Sequence, residues 1–186
     1  MARSPSGLVP DSPWLTRGRR LRSQPPVYQV GLADLSRTMH HHYPHLNGCV
    51  IRRSLLEQVG LLWEPLPFAE DFNWVLRIID QAKGLVYRAD PVVVFNVTPR
   101  NSAFERTSKT DRAMLGVLSC NHVRATCGQR VVRRCARACE AWYLRQASAQ
   151  LLKDHHRRAA LSFVWQACCI YPGAGAILQL GRCLKG

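Results

Sequence analysis

Pro67-Phe68-Ala69-Glu70-Asp71-Phe72-Asn73-Trp74-Val75-Leu76-Arg77 is the stretch on which the reading of this 186-residue chain turns. Phe72, Val75, Leu76 and Ile79 recur at helical spacing, so a helix with one apolar face opens here, Asp71 is placed to cap its first turn, and Gly84 ends it. Just upstream, Pro65 and Pro67 hold residues 61–68 in an extended loop, because a residue that precedes proline is kept out of the helical region. The loop delivers two adjacent carboxylates, Glu70 and Asp71, to a helix head where the peptide dipole favours negative charge. Backbone then fixes their position, and one of them can take a proton from a hydroxyl nucleophile. Aspartate is also an ordinary capping residue, so the pair alone does not establish chemistry.

On the N-terminal side, Asn47-Gly48-Cys49-Val50-Ile51-Arg52-Arg53-Ser54-Leu55-Leu56-Glu57-Gln58-Val59-Gly60-Leu61 reads as a short apolar strand, a basic pair and a helix. Ser54 and Glu57 have the spacing of a capping box, and Gly60 supplies the left-handed stop. On the C-terminal side, Leu85-Val86-Tyr87 and Val92-Val93-Val94-Phe95, split by Asp90-Pro91, read as two strands. Beyond Asn101 the β signal ends, and helices are expected over residues 113–124, 130–152 and 157–170, with breaks at Gly128, Asp154-His155-His156 and Pro172-Gly173. Ala160, Val164, Ala167 and Pro172 match the second half of a tetratricopeptide repeat, but Leu144, Ala147, Ser148 and Leu151 do not supply the first half, so the chain ends in a single degenerate hairpin. Residues 1–30, with Pro5, Pro10, Pro13, Pro25 and Pro26 among Arg17, Arg19, Arg20 and Arg22, read as an irregular or disordered basic arm. Residues 31–105 then form the domain that carries the carboxylates, and 106–186 a helical tail. His40-His41-His42 reads as a solvated loop, since adjacent side chains diverge and no acidic or Cys partner lies nearby.

Hydrophobic residues make up 47% of the chain, and 26 Lys+Arg against 12 Asp+Glu leave a formal charge of +14. That balance excludes an acidic solvating protein and points to a polyanionic partner or surface. The charge is uneven: +5 up to Gly60, −1 from Leu61 to Arg100, and +10 from Asn101 onward. Arg130, Arg133, Arg134 and Arg137 recur at i, i+3, i+4 and i+7, a one-sided stripe able to lie along the phosphates of nucleic acid or of an anionic membrane. No base-reading motif accompanies it, which makes nucleic acid the weaker partner. The eight cysteines show neither a C-x-x-C pair nor zinc-finger spacing, and are expected as reduced thiols packed in helices. With no signal-like apolar core at the N-terminus, this predicts a cytoplasmic protein, peripheral at the inner face of the membrane where its basic tail is engaged. Residues 159–181 are uncharged and reach membrane-span length, but Tyr171-Pro172-Gly173 divides them into two helix-length pieces too short to cross a bilayer.

The segments 47–61 and 67–77 together resemble the acceptor-side half of family-2 glycosyltransferases with the GT-A fold. There a short strand with an Arg-Arg pair leads into a helix ending in Val-Gly, and a loop delivers Glu-Asp at the head of a helix bearing Trp and Arg. Gly84-Leu85-Val86-Tyr87, Pro91-Val92-Val93-Val94-Phe95 and Arg100-Asn101-Ser102 follow in the same order, so the resemblance covers about residues 45–105. It implies an α/β fold, an incomplete Rossmann-like GT-A half with two to three strands followed by an α-helical C-terminal region. It implies Asp71 as the general base that deprotonates an acceptor hydroxyl for inverting attack on a nucleotide sugar, with Glu70 orienting the acceptor. Arg53, Trp74, Arg77 and Arg100 match its substrate-binding positions, and the family's acceptors are glycans or lipid-linked sugars. The family also implies a divalent metal, Mg or Mn, held on the diphosphate by an Asp-x-Asp motif. This sequence has no Asp-x-Asp, and the 46 residues before Asn47 are too few, and too rich in Pro and Arg, to supply the missing sheet. Without stabilisation of the leaving group, usually the largest catalytic term, the chain is expected to be inactive alone, a transferase part that needs its other half. The alternative is a non-catalytic basic helical protein that binds nucleic acid or an anionic membrane.

Overall fold

Six helices and three short strands make up the residues that the structure, a computed structural model, describes: 18–21, 27–32, 34, 49–82, 84–88 and 107–185. Strands β1 (Arg19–Leu21), β2 (Val27–Val30) and β3 (Leu85–Arg88) pair in that order, antiparallel throughout. Val30 lies opposite Leu85 and Val27 opposite Arg88, while Leu21 pairs with Val27 across the other edge. The helices are α1 (Arg53–Val59), α2 (Glu70–Gln81), α3 (Lys109–Thr126), α4 (Arg130–Lys153), α5 (Arg157–Ile170) and α6 (Ala174–Lys185).

This architecture corrects the expected α/β, Rossmann-like GT-A half. Helix accounts for 70% of the described residues, and the sheet is small and antiparallel. A parallel sheet is covered by helices on both faces and so needs strands that are apolar on both. Here Gln29 and Val86 are exposed, the latter at 64%, so the sheet has a solvated face. β3 forms where the sequence places it, but its partner comes from residues 27–30, within the stretch read as an irregular arm. Cys49-Val50-Ile51 joins no strand, and Val50 is fully exposed. Residues 35–48 and 89–106 lie outside the described residues, and with them the His40-His41-His42 run, the second expected strand and Arg100.

The carboxylate-bearing helix and the tail share one core. Phe72, Val75, Leu76 and Ile79 of α2 pack with Cys120 and Val123 of α3, with Val132, Cys135, Ala136 and Cys139 of α4, and with Val30 of β2. Each fully buried aliphatic side chain in such a cluster contributes about 1.5–3 kcal/mol. All eight cysteines are free; Cys120, Cys127, Cys135, Cys139 and Cys183 are buried as small hydrophobes, whereas Cys49 and Cys168 are half-buried and Cys169 is exposed, and burial raises the thiol pKa of Cys120 well above its usual range. Small residues let the tail helices approach closely. A β-carbon on Gly116 of α3 would lie 2.5 Å from the Tyr143 ring of α4. On α5, Ala160, Val164 and Ala167 are all fully buried, and Ser148 of α4 donates to the Ala160 carbonyl at 2.9 Å. Pro172-Gly173 separates α5 from α6, and among the described residues no helix is long and apolar enough to cross a membrane.

Candidate functional site

The head of α2 is built from an unusual backbone. Ala69 immediately precedes the helix with φ 63° and ψ 21°, a left-handed conformation that costs a residue with a β-carbon about 1–2 kcal/mol. Contacts to α3 and α2 hold it there. Its carbonyl accepts from the Ser119 hydroxyl at 3.2 Å and from the Asn73 amide at 3.1 Å, and its side chain is buried against the shared core. Asp71 therefore falls one residue inside the helix rather than at the cap, and its Oδ1 accepts the Phe72 amide N–H at 2.6 Å. Glu70 and Asp71 are both half-buried in the first turn, where the helix dipole favours their charge.

Trp74 and Arg77 turn toward the loop that leads into this head. The Trp74 indole N–H donates to the Gly60 carbonyl at 2.8 Å, and Arg77 Nη1 donates to the Leu61 carbonyl at 3.0 Å while its Nη2 bonds the Val59 carbonyl. These carbonyls lie at the C-terminal end of α1, whose last groups lack partners within the helix, and a guanidinium there also complements the dipole. The two side chains assigned to substrate by resemblance thus brace the 61–68 loop through their polar atoms. Gly60 has the positive φ expected of it, 76°, but an extended ψ of −169° in place of the left-handed stop. The expected capping box also gives way. The helix starts at Arg53, so Ser54 is already inside it, and Glu57 instead accepts from Arg53 Nε at 3.0 Å in an exposed pair. Arg53 therefore projects from α1 into solvent.

Beneath α2 lies a polar seam that sequence reading did not find. Asn73, fully buried, donates from Nδ2 to the Ser119 carbonyl and to Nδ1 of His122, both at 3.1 Å. The Ser119 carbonyl can only accept, which fixes the amide orientation and makes His122 Nδ1 an acceptor. The imidazole stacks on Trp63, with centroids 3.9 Å apart and an interplanar angle of 6°. Burial, and then the Arg77 charge, lower the His122 pKa, so the ring is neutral near pH 7. Two turns along α2 from Asn73, the buried Asp80 carboxylate accepts the amide N–H groups of Gly128 at 3.0 Å and Gln129 at 2.8 Å, capping α4 from another helix. Trp63, Arg77, Asp80, His122 and Cys127 line a cavity of about 410 Å³. Burial, followed by the nearby Asp80 charge, pushes the Cys127 thiol up to about 11. Arg77 and Asp80 stand six and nine residues beyond Asp71, which at 100° per residue turns the cavity away from the Asp71 side of α2.

A second concavity lies between α3 and α4. Arg130, Arg133, Arg134 and Arg137 from α4 join Arg124 from α3 around a groove of about 790 Å³, with Asn121 and Ala125 completing its wall. Arg124 is held by the buried Glu140 at 2.5 Å. Among the described residues no group of three or more His, Cys, Asp or Glu could hold a metal ion. No protein-family model, curated protein or solved structure matches the chain.

Proposed function

We propose that the chain carries the acceptor-side part of an inverting glycosyltransferase, with Asp71 as the base that takes the proton from an acceptor hydroxyl. The observation that supports this most is the construction of the α2 head. A half-buried carboxylate sits on a helix whose entry is strained at Ala69, and whose preceding loop is braced by Trp74 and Arg77. Backbone strain retained beside a fixed ionisable group is characteristic of sites that need preorganisation. In this reading Glu70 orients the acceptor, and Trp74 and Arg77 act as positioning residues rather than sugar contacts. The reading does not require a parallel sheet in this chain. It does require a nucleotide-sugar half that includes the metal ligands, supplied by further sequence or by a partner, and the chain alone transfers no sugar.

The test is Asp71→Asn in the gene's full product. Sugar transfer should fall at least 100-fold, the usual scale for loss of a general base, while nucleotide-sugar binding stays unchanged. Unchanged turnover would overturn the base assignment, and the absence of any nucleotide-sugar binding by that product would overturn the transferase reading itself.

A further inference from the structure

The arginine groove belongs to a different surface from the carboxylates, and its chemistry is of a different kind. Arg130, Arg133, Arg134 and Arg137 are all exposed, and among the described residues none of them has a carboxylate partner. Only Arg124 is neutralised, by Glu140. Along α4 the four side chains span about 10 Å, so their charges converge on one concavity instead of spreading over the helix. Like charges gathered in this way repel, and nothing in the packing requires them: the core of α4 is supplied by Val132, Cys135, Ala136 and Cys139. The groove is thus built for an anion.

A second observation selects the anion. On α3, Met114, Leu118, Asn121 and Ala125 follow one another at intervals of four, three and four, a single stripe along the helix. Asn121 and Ala125 line the groove, and Met114 and Leu118 continue its edge as exposed apolar side chains, at 37% and 43%. A phosphate surface flanked by exposed apolar side chains suits a membrane, where headgroups meet the guanidinium groups and the apolar residues reach the acyl boundary. It suits single-stranded nucleic acid less well, since no aromatic side chain lines the groove to stack on a base. We propose that the groove between α3 and α4 docks the protein on an anionic phospholipid membrane. This rests on the tail helices and not on the transferase reading.

The experiment is co-sedimentation of the chain with vesicles of phosphatidylcholine, with and without phosphatidylglycerol. The chain should bind only the anionic vesicles, less tightly as salt rises. Each basic residue at such a surface is worth about fivefold in affinity, so Arg133→Glu with Arg137→Glu should weaken binding at least tenfold. Arg158→Glu with Arg182→Glu makes the same charge change at exposed positions outside the groove, and should alter binding no more than about twofold. Met114→Gln with Leu118→Gln should reduce the binding that persists at high salt. Circular dichroism of each variant confirms that the helices remain. Equal loss from both charge-reversed pairs would reduce the effect to net charge and overturn the site. So would failure to bind anionic vesicles, or a preference for a single-stranded oligonucleotide over them that the groove variants abolish.

Discussion

The head of α2 and the arginine groove are both polar surfaces resting on the same core, yet they are built by opposite rules. Around α2 the polar groups are tied to backbone: Trp74 and Arg77 to the end of α1, Asn73 to the Ser119 carbonyl of α3, the Ser119 hydroxyl back to the Ala69 carbonyl, and Asp80 to the start of α4. In the groove four arginines face solvent with no carboxylate partner among the described residues. The difference separates two ways in which a charge serves a protein. A bonded carboxylate or guanidinium fixes geometry and stabilises the fold, whereas an unpaired cluster raises the energy of the free protein until a counter-charge arrives. Substitutions on the two surfaces should therefore move stability in opposite directions.

The largest effect is expected at Asp80. Its carboxylate takes two amide N–H groups at the start of α4, and Asp80→Ala leaves both without that acceptor in a half-buried setting. A hydrogen bond to a charged group contributes about 1.5–3 kcal/mol, so the pair should cost about 3 kcal/mol in urea unfolding. That is a large share of the 5–15 kcal/mol typical of a domain. Asp80→Asn keeps one acceptor and should lose about half as much. A loss below about 0.5 kcal/mol for Asp80→Ala would mean that both amides reach water, and the contrast between the two surfaces would fail at its strongest point.

Trp74→Phe tests a weaker brace. It keeps the ring and removes the bond to the Gly60 carbonyl, a change of about 1 kcal/mol. The better readout is local, because the bond ties a loop rather than the core: limited proteolysis within residues 61–68 should accelerate while the unfolding midpoint hardly moves. Unchanged proteolysis would show that Arg77 alone holds the loop.

How far these surfaces could be read from sequence follows from how local their causes are. Helices α2, α4 and α5 and strand β3 form close to where apolar spacing and punctuating glycines place them, because those signals lie within the elements themselves. The positive φ at Gly60 is of this kind. Strands β1 and β2 were missed because Arg19-Arg20-Leu21 shows no alternation, and β2 completes the sheet only by meeting β3, more than fifty residues on. That distant pairing also makes the sheet antiparallel, against the α/β expectation. At the site, the carboxylate pair was legible in position. The roles of Trp74 and Arg77 were not, since their acceptors are backbone carbonyls 14 to 18 residues away that no side-chain pattern marks. Asp80 and His122 were out of reach for the same reason, being joined to partners 48 and 49 residues distant. Asn73 did leave a trace, as an amide within the apolar run of α2. The arginine stripe was visible as spacing, but only the structure adds Arg124 and turns a stripe into a groove.

The smallest effect is the sharpest test of the contrast, because it has the opposite sign. If the groove arginines are mutually repulsive and unbonded, Arg133→Gln with Arg137→Gln should not destabilise the protein at all. At separations near 10 Å in water each pair of unit charges repels by about 0.4 kcal/mol, so the double variant should gain a few tenths of a kcal/mol in low salt. The gain has to disappear near 1 M salt, where the Debye length falls from about 30 Å to about 3 Å. Both limits can be measured in one urea series at two ionic strengths. A loss of stability would show that the arginine stems pack on the helix surface as a hydrocarbon cover, which is how long basic side chains serve elsewhere. A gain indifferent to salt would point to helix propensity rather than charge. Only a gain that salt removes identifies repulsion stored in the free groove, and stored repulsion of that kind is what an anionic surface relieves on binding.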